Sequence, residues 1–201
     1  PNCVFKNFAF IRIYSMEPTI QKVKRLYLLF VFLTGCSVAV CQDLIIPEPA
    51  LQSAIARSLG VREQDLSKSL VEKSLTRLQA NDLGIRDLSG LEYAKNLESL
   101  VVRDNLIDDL SPIQKLSKLN NLDLSGNRLK DLSSLVAYPD LSVSGAQSTV
   151  DHSALRILNL SRNRLLGLSG IEHFRSLAQL DVSENSLIDL EGVGKLNELV
   201  N

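Results

Sequence analysis

With 201 residues, 45% of them hydrophobic, and a formal net charge of −1, the chain is long enough for one domain with a real core and lacks the strongly basic balance that nucleic-acid binding needs. The near-neutral total conceals an asymmetry: residues 1–41 carry five Lys or Arg against one Glu, and residues 42–201 carry seventeen against twenty-two Asp or Glu. The part expected to fold is therefore mildly acidic, which argues against nucleic acid as a partner. All three cysteines, Cys3, Cys36 and Cys41, precede it, so it needs no disulfide and no cysteine-based metal site.

The only methionine is Met16, and residues 1–15 read as an upstream extension without a structural role. Residues 16–35 have the make-up of an export signal, with Lys22, Lys24 and Arg25 as the basic region and Leu26 to Leu33 as the apolar one. The closing Leu33-Thr34-Gly35-Cys36 resembles the bacterial lipobox, in which the signal is cut before the cysteine and the cysteine is lipidated. That resemblance implies lipid attachment at Cys36, with residues 36–46 as anchor and spacer and the membrane as a partner through the lipid. At about 0.8 kcal/mol per buried methylene, one acyl chain anchors only marginally and several hold firmly. Two other readings stay open: plain secretion with cleavage near Val40-Cys41-Gln42, and a retained membrane segment. Thr34, Gly35 and Ser37 weaken the last by interrupting a run that barely reaches spanning length.

Residues 47–74 read as a helical cap. Pro49 suits a first helical turn and Gly60 a left-handed C-cap, while Leu51, Ile55 and Leu59 recur every fourth residue as one apolar stripe. Leu66, Leu70 and Val71 mark a second, weaker helical or turn-like piece. A stacked repeat needs such a cap because its outermost coil otherwise exposes core leucines.

From Leu75 to Asn201 a 22-residue unit recurs, with clear copies beginning at Leu97, Leu119, Leu155 and Leu177, each reading L-x-x-L-x-L/V-x-x-N. Leu100, Leu122, Leu158 and Leu180 share one column, and Val102, Leu124, Leu160 and Val182 the next. The alternation predicts a short strand in each copy, with leucines inward and the residues between them outward. Asn105, Asn127, Asn163 and Asn185 close the block, where a short amide can satisfy backbone groups that lack a ladder partner; their expected role is structural. Asp87, Asp109, Asp131 and Asp189 recur ahead of the next apolar column as expected turn caps, with Gly167 in the fourth copy. The coil at Leu75 is degenerate, with Leu83 where the others have Asn.

These columns resemble the leucine-rich repeat family, and the 22-residue form with D-L-S-x-L or G-L-S-G-I is similar to the bacterial internalin-type subgroup. The resemblance implies an α/β solenoid: a right-handed superhelix with short parallel strands on its concave face and an N-terminal helical cap. It says little about function, since such folds host many partners.

Two departures stand out. Leu141 to Leu155 is too short for a repeat, so the stretch 141–154 is either a shortened coil that kinks the solenoid or a local loop. The chain also stops at Leu199-Val200-Asn201, the opening of another coil, which implies truncation, a damaged last repeat or a partner that covers the end.

Outward strand positions nominate a binding surface: Val101, Asp123, Asn159 and Asp181; Arg103, Ser125, Ser161 and Ser183; and the flanking Asp104, Arg162 and Glu184. The flank at Ser99, Asn121, Ile157 and Gln179 adjoins them. Five or six coils at about 4.8 Å span roughly 25 Å, a modest footprint beside about 800 Å² per partner, and without aromatic anchors a weak or multivalent contact is easier to defend than a tight one. No catalytic set or phosphate loop has the required spacing, and His152 and His173 lack a second ligand at motif spacing. The expected protein is not an enzyme and needs no cofactor or metal. It reads as an exported protein of the bacterial cell envelope, lipid-anchored or secreted, that binds another protein or a surface glycan. The alternatives are a structural or vestigial repeat module of a longer protein and a cytoplasmic repeat scaffold.

Overall fold

The structure is a computed structural model that describes residues 44–136 and 153–200. The upstream extension, the signal, Cys36, His152 and nearly all of the irregular stretch lie outside the described residues.

The cap is built first. Helix α1, Pro49–Leu59, opens on a proline whose missing N–H costs nothing in a first turn. It buries Leu51 and Ile55 completely, together with Ala54 and Ala56. Gly60 ends it at φ 67°, with Gly60 N–H donating to Arg57 O and Val61 N–H to Ala56 O at 3.2 and 3.0 Å. Helix α2, Lys68–Ser74, starts on Ser67, whose hydroxyl accepts from Leu70 N–H at 3.2 Å, and buries Val71. Ile46, assigned to the spacer on sequence grounds, is a core residue at 8% exposure. It presses on Gly90, where a Cβ would lie 2.7 Å from Ile46 Cγ1.

Five three-residue strands follow: β1 Arg77–Gln79, β2 Ser99–Val101, β3 Asn121–Asp123, β4 Ile157–Asn159 and β5 Gln179–Asp181. They form one parallel sheet in sequence order, with Leu78, Leu100, Leu122, Leu158 and Leu180 in register. Ser58 Oγ donates to Arg77 O at 2.7 Å, so α1 occupies a backbone acceptor on the outer strand. Strand β4 lies directly beside β3. The segment joining these strands is longer than the others, and the register resumes unchanged beyond it.

The return legs after β1, β2, β4 and β5 each carry a single-turn 3-10 helix, at Leu91–Tyr93, Ser111–Ile113, Ile171–His173 and Val193–Lys195 among the described residues. On the legs after β1, β2 and β3, Asp87, Asp109 and Asp131 accept the N–H two residues on, from Ser89, Ser111 and Ser133, at 2.8, 3.0 and 2.9 Å. Asp189 accepts from Glu191 N–H in the same way. These are local Asx turns, and those at Asp87, Asp109 and Asp189 stand ahead of 3-10 helices. Tyr93 is half-buried, with Lys68 Nζ 4.2 Å from its ring centroid.

The asparagine column stitches coil to coil. Asn127 Oδ1 accepts from Ile107 N–H at 3.0 Å, and its Nδ2 donates to Val102 O and Leu124 O at 2.9 Å each. Asn163 and Asn185 repeat the pattern toward Leu129 and Leu165 N–H. Asn105 accepts from both Leu83 and Ile85 N–H, which serves the degenerate first coil. Such a side chain replaces the ladder that a strand end loses when the chain turns away, with no polar atom left dry.

Candidate functional site

The inward leucines leave the opposite face of the sheet to the alternating residues, and this face divides along the strand direction. On its downstream half, where the strands end, the polar groups satisfy one another. Asp123 Oδ1 accepts from Ser125 N–H and Oγ at 3.1 and 2.8 Å. Asn159 does the same with Ser161 at 2.9 and 2.8 Å, and Asp181 with Ser183 at 2.9 and 2.7 Å. The Ser183 hydroxyl, followed by its backbone N–H, holds the Asp181 carboxyl below its ordinary pKa. Arg103 Nε donates to Asp123 Oδ2 at 2.7 Å, and Arg162 pairs with Asp104 at 3.1 Å across the intervening coil. Gly126 makes that second reach possible, because a Cβ there would lie 2.2 Å from Asp104 Oδ1.

The surface nominated from sequence therefore splits. Val101, Asp123, Ser125 and Ser161 are buried at 3–8% exposure and offer a ligand little. Asn159 is half-buried, while Arg103, Asp104, Arg162, Asp181, Ser183 and Glu184 are exposed. Asp104, Arg162 and Glu184 share a left-handed backbone at φ 53–54° with Asp82 at 55° and Gly126 at 68°, so this column is set by the turn that ends each strand.

The upstream half, where the strands begin, is open. A hollow of about 730 Å³ lies over β1 to β4, lined by Arg77, Glu98, Ser99, Lys118, Asn121 and Ile157 among others. A second hollow, about 490 Å³, runs from α1 to β2 and includes Arg57 and Ser58; the two share Arg77, Gln79 and Ser99. Ile157 is 37% exposed at the floor of the larger one. Sequence columns exposed only part of this surface, the flank at Ser99, Asn121, Ile157 and Gln179. Arg57 comes from the cap, and Lys118 from the leg before β3, so neither belongs to a strand column. Among the described residues no group of three or more His, Cys, Asp or Glu side chains could hold a metal ion, and no helix is long and apolar enough to cross a membrane.

The family described as leucine-rich repeats in two copies matches residues 95–137. No curated protein matches the chain. Among solved structures, an internalin of Listeria monocytogenes, InlF, is similar at 24% identity and a TM-score of 0.59, over 81% of this chain and 52% of the other. Internalin C2 of the same species is similar at 27% identity and a TM-score of 0.55, over 77% and 73%. A leucine-rich repeat protein of Leptospira interrogans is similar at 22% identity and a TM-score of 0.50, over 65% and 32%. The chain spans about half the length of the InlF structure it matches. It carries leucine-rich repeats, and its parallel sheet in stacked coils is the solenoid fold found in the Listeria internalins.

Proposed function

We propose that this chain is an exported bacterial protein of the cell envelope that binds another protein through the open face of its sheet. The observation that carries the reading is the pair of adjoining hollows across α1 and β1 to β4, on a face whose opposite side is wholly committed to the core. Stacked strands spread short side chains into a continuous surface, which is how solenoids engage protein partners. A surface glycan is the companion ligand class for the same face. Export rests on the basic and apolar runs from Met16 to Leu33, and anchoring on the lipobox-like Leu33-Thr34-Gly35-Cys36.

The test is expression from Met16 in a bacterial host, with intact mass and membrane fractionation, beside a Cys36→Ala variant. A membrane-bound product beginning at an acylated Cys36, lost in the variant, supports the envelope assignment. Soluble, unprocessed protein in both cases sinks it and moves the search for a partner inside the cell. A structural repeat module without a ligand is the second reading, and the self-satisfied downstream half favours it, because most polar groups there already have partners.

A further inference from the structure

We infer that the upstream half of the sheet face takes an acidic, extended segment of a partner protein; this rests on the protein-binding reading above and names the chemistry of its ligand. Three cations line the two adjoining hollows: Arg57 on α1, Arg77 on β1 and Lys118 ahead of β3. All three are exposed. None forms an ion pair with a carboxylate among the described residues, and Lys118 Nζ instead donates to the neutral Asn96 Oδ1 at 2.6 Å. The downstream half is the internal control, since both of its sheet-face arginines there, Arg103 and Arg162, are neutralised by Asp123 and Asp104. Among the described residues Glu98 is the one carboxylate lining the hollows. The folded part of the chain as a whole is net acidic, so this cationic stretch is local and acts within roughly a Debye length of 8–10 Å.

The remaining lining selects a peptide from among anions. Gln79, Asn120 and Asn121 carry amides that can each donate and accept, which matches the alternating N–H and C=O of an extended chain. Ile157 and Ala154 give an apolar footing for an intervening side chain. Among the described residues no aromatic side chain lines either hollow to offer a sugar ring a flat face. Three strand spacings from β1 to β4 cover about 14 Å, or some four to five residues of extended peptide at about 3.3 Å each. Arginine at Arg57 and Arg77 can hold a carboxylate through two parallel N–H donors, which fixes position as well as charge.

The experiment pans a random-peptide phage library on the immobilised full chain and on a triple variant, Arg57→Glu/Arg77→Glu/Lys118→Glu. A milder Arg77→Gln/Lys118→Gln variant accompanies it, and the thermal unfolding midpoints of all three proteins are compared. The expected result is enrichment of Asp- and Glu-rich peptides on the natural chain only. A synthetic peptide from that pool should bind about tenfold or more weakly to the triple variant and to a lesser degree more weakly to the neutral one. Peptides without acidic bias that bind natural chain and triple variant alike overturn the acidic specificity and leave the protein-binding reading standing. A soluble polyuronate that binds the natural chain where no peptide does overturns the peptide in favour of a glycan. No enrichment and no polyuronate binding overturn both readings.

Discussion

The interior coils and the last described coil share the same letters and differ in what those letters are worth. Leu100, Leu122 and Leu158 are at 0–1% exposure, and so are Leu110, Leu132 and Leu168 in the return leg. In the last coil Leu180, Val182 and Leu187 are only partly buried, and Leu190 is 59% exposed. Chain position accounts for this without any change of motif: an interior coil is covered on both sides, and the last one among the described residues on one. The N-terminal end meets the same problem with α1, which buries Leu51 and Ile55 against the first coil. In a one-dimensional stack, stability is a sum over neighbours, so a side chain's contribution is set by how many coils it touches.

The asparagine column gives the largest predicted contrast. Asn127→Ala strands Ile107 N–H and the carbonyl of Val102 in a buried setting, while Leu124 O keeps its bond from Asn163 Nδ2, and at about 1–3 kcal/mol per buried unsatisfied group it should cost about 3–4 kcal/mol. Asn185 makes the same kinds of bonds but is only part-buried, where water can replace the lost partners, and Asn185→Ala should cost about 1 kcal/mol. Urea unfolding of the two variants measures both. Equal losses would mean that the last coil is as well covered in solution as the interior ones.

Leucine truncation sharpens the same comparison at a slightly smaller scale. Leu122→Ala opens a cavity in a fully buried column and should cost about 3 kcal/mol, whereas Leu190→Ala should cost less than about 0.5 kcal/mol, because its side chain already faces water. A large loss at Leu190 would reveal a contact formed by a further coil, a second copy or a partner.

The repeat period made the columns legible before any coordinates, because a strand of the form L-x-L fixes which side chains turn inward. The asparagines were legible for a related reason: one amide at a constant offset from each strand can only meet the same backbone groups each time. The candidate binding face was less so. Asp123 and Ser125 look outward in the alternation, yet they are buried because Arg103 from the preceding coil lies against Asp123 and the serine folds back onto it. That outcome depends on neighbours on both sides, which a single column does not encode. Arg57 was hidden for a different reason, since it reaches the sheet face from a helix outside the repeat.

A smaller effect concerns the left-handed position after each strand. Gly126 occupies it in one interior coil, at φ 68°, and Glu184 in the last, at φ 53°. A side chain in this conformation costs about 1–2 kcal/mol, partly offset by the greater freedom glycine has when unfolded. Gly126→Ala should therefore destabilise by about 1 kcal/mol and also displace Asp104 from Arg162. Glu184→Gly should stabilise by about 0.5 kcal/mol, since no ion pair is lost among the described residues. Thermal unfolding midpoints that move in the same direction for both variants would contradict the assignment of strain to this column.

The smallest contrast is one of pH. Asp109, Asp131 and Asp181 are all held below the ordinary carboxyl pKa, first by the hydroxyls of Ser111, Ser133 and Ser183 and then by the backbone N–H of the same serines. A depressed folded-state pKa contributes stability above the unfolded value of about 3.9, and that stability is lost as pH falls through the lower folded value. The three carboxylates are exposed, so solvent screening limits each contribution to about 0.3 kcal/mol. Ser111→Ala and Ser183→Ala each remove the hydroxyl and keep the backbone bond, so each should lose this increment at neutral pH and converge on the natural chain only as pH falls from about 4 through the lowered folded-state value. The two should differ in where the loss is seen. Ser111 sits among coils that unfold together, and its change belongs in the global urea midpoint, whereas Ser183 lies in the weakly covered last coil, whose local opening is lower in free energy. Amide exchange confined to residues of β5 and the leg after it should accelerate in Ser183→Ala with the global midpoint unmoved; a midpoint shift equal to that of Ser111→Ala would mean that the last coil unfolds as one unit with the rest.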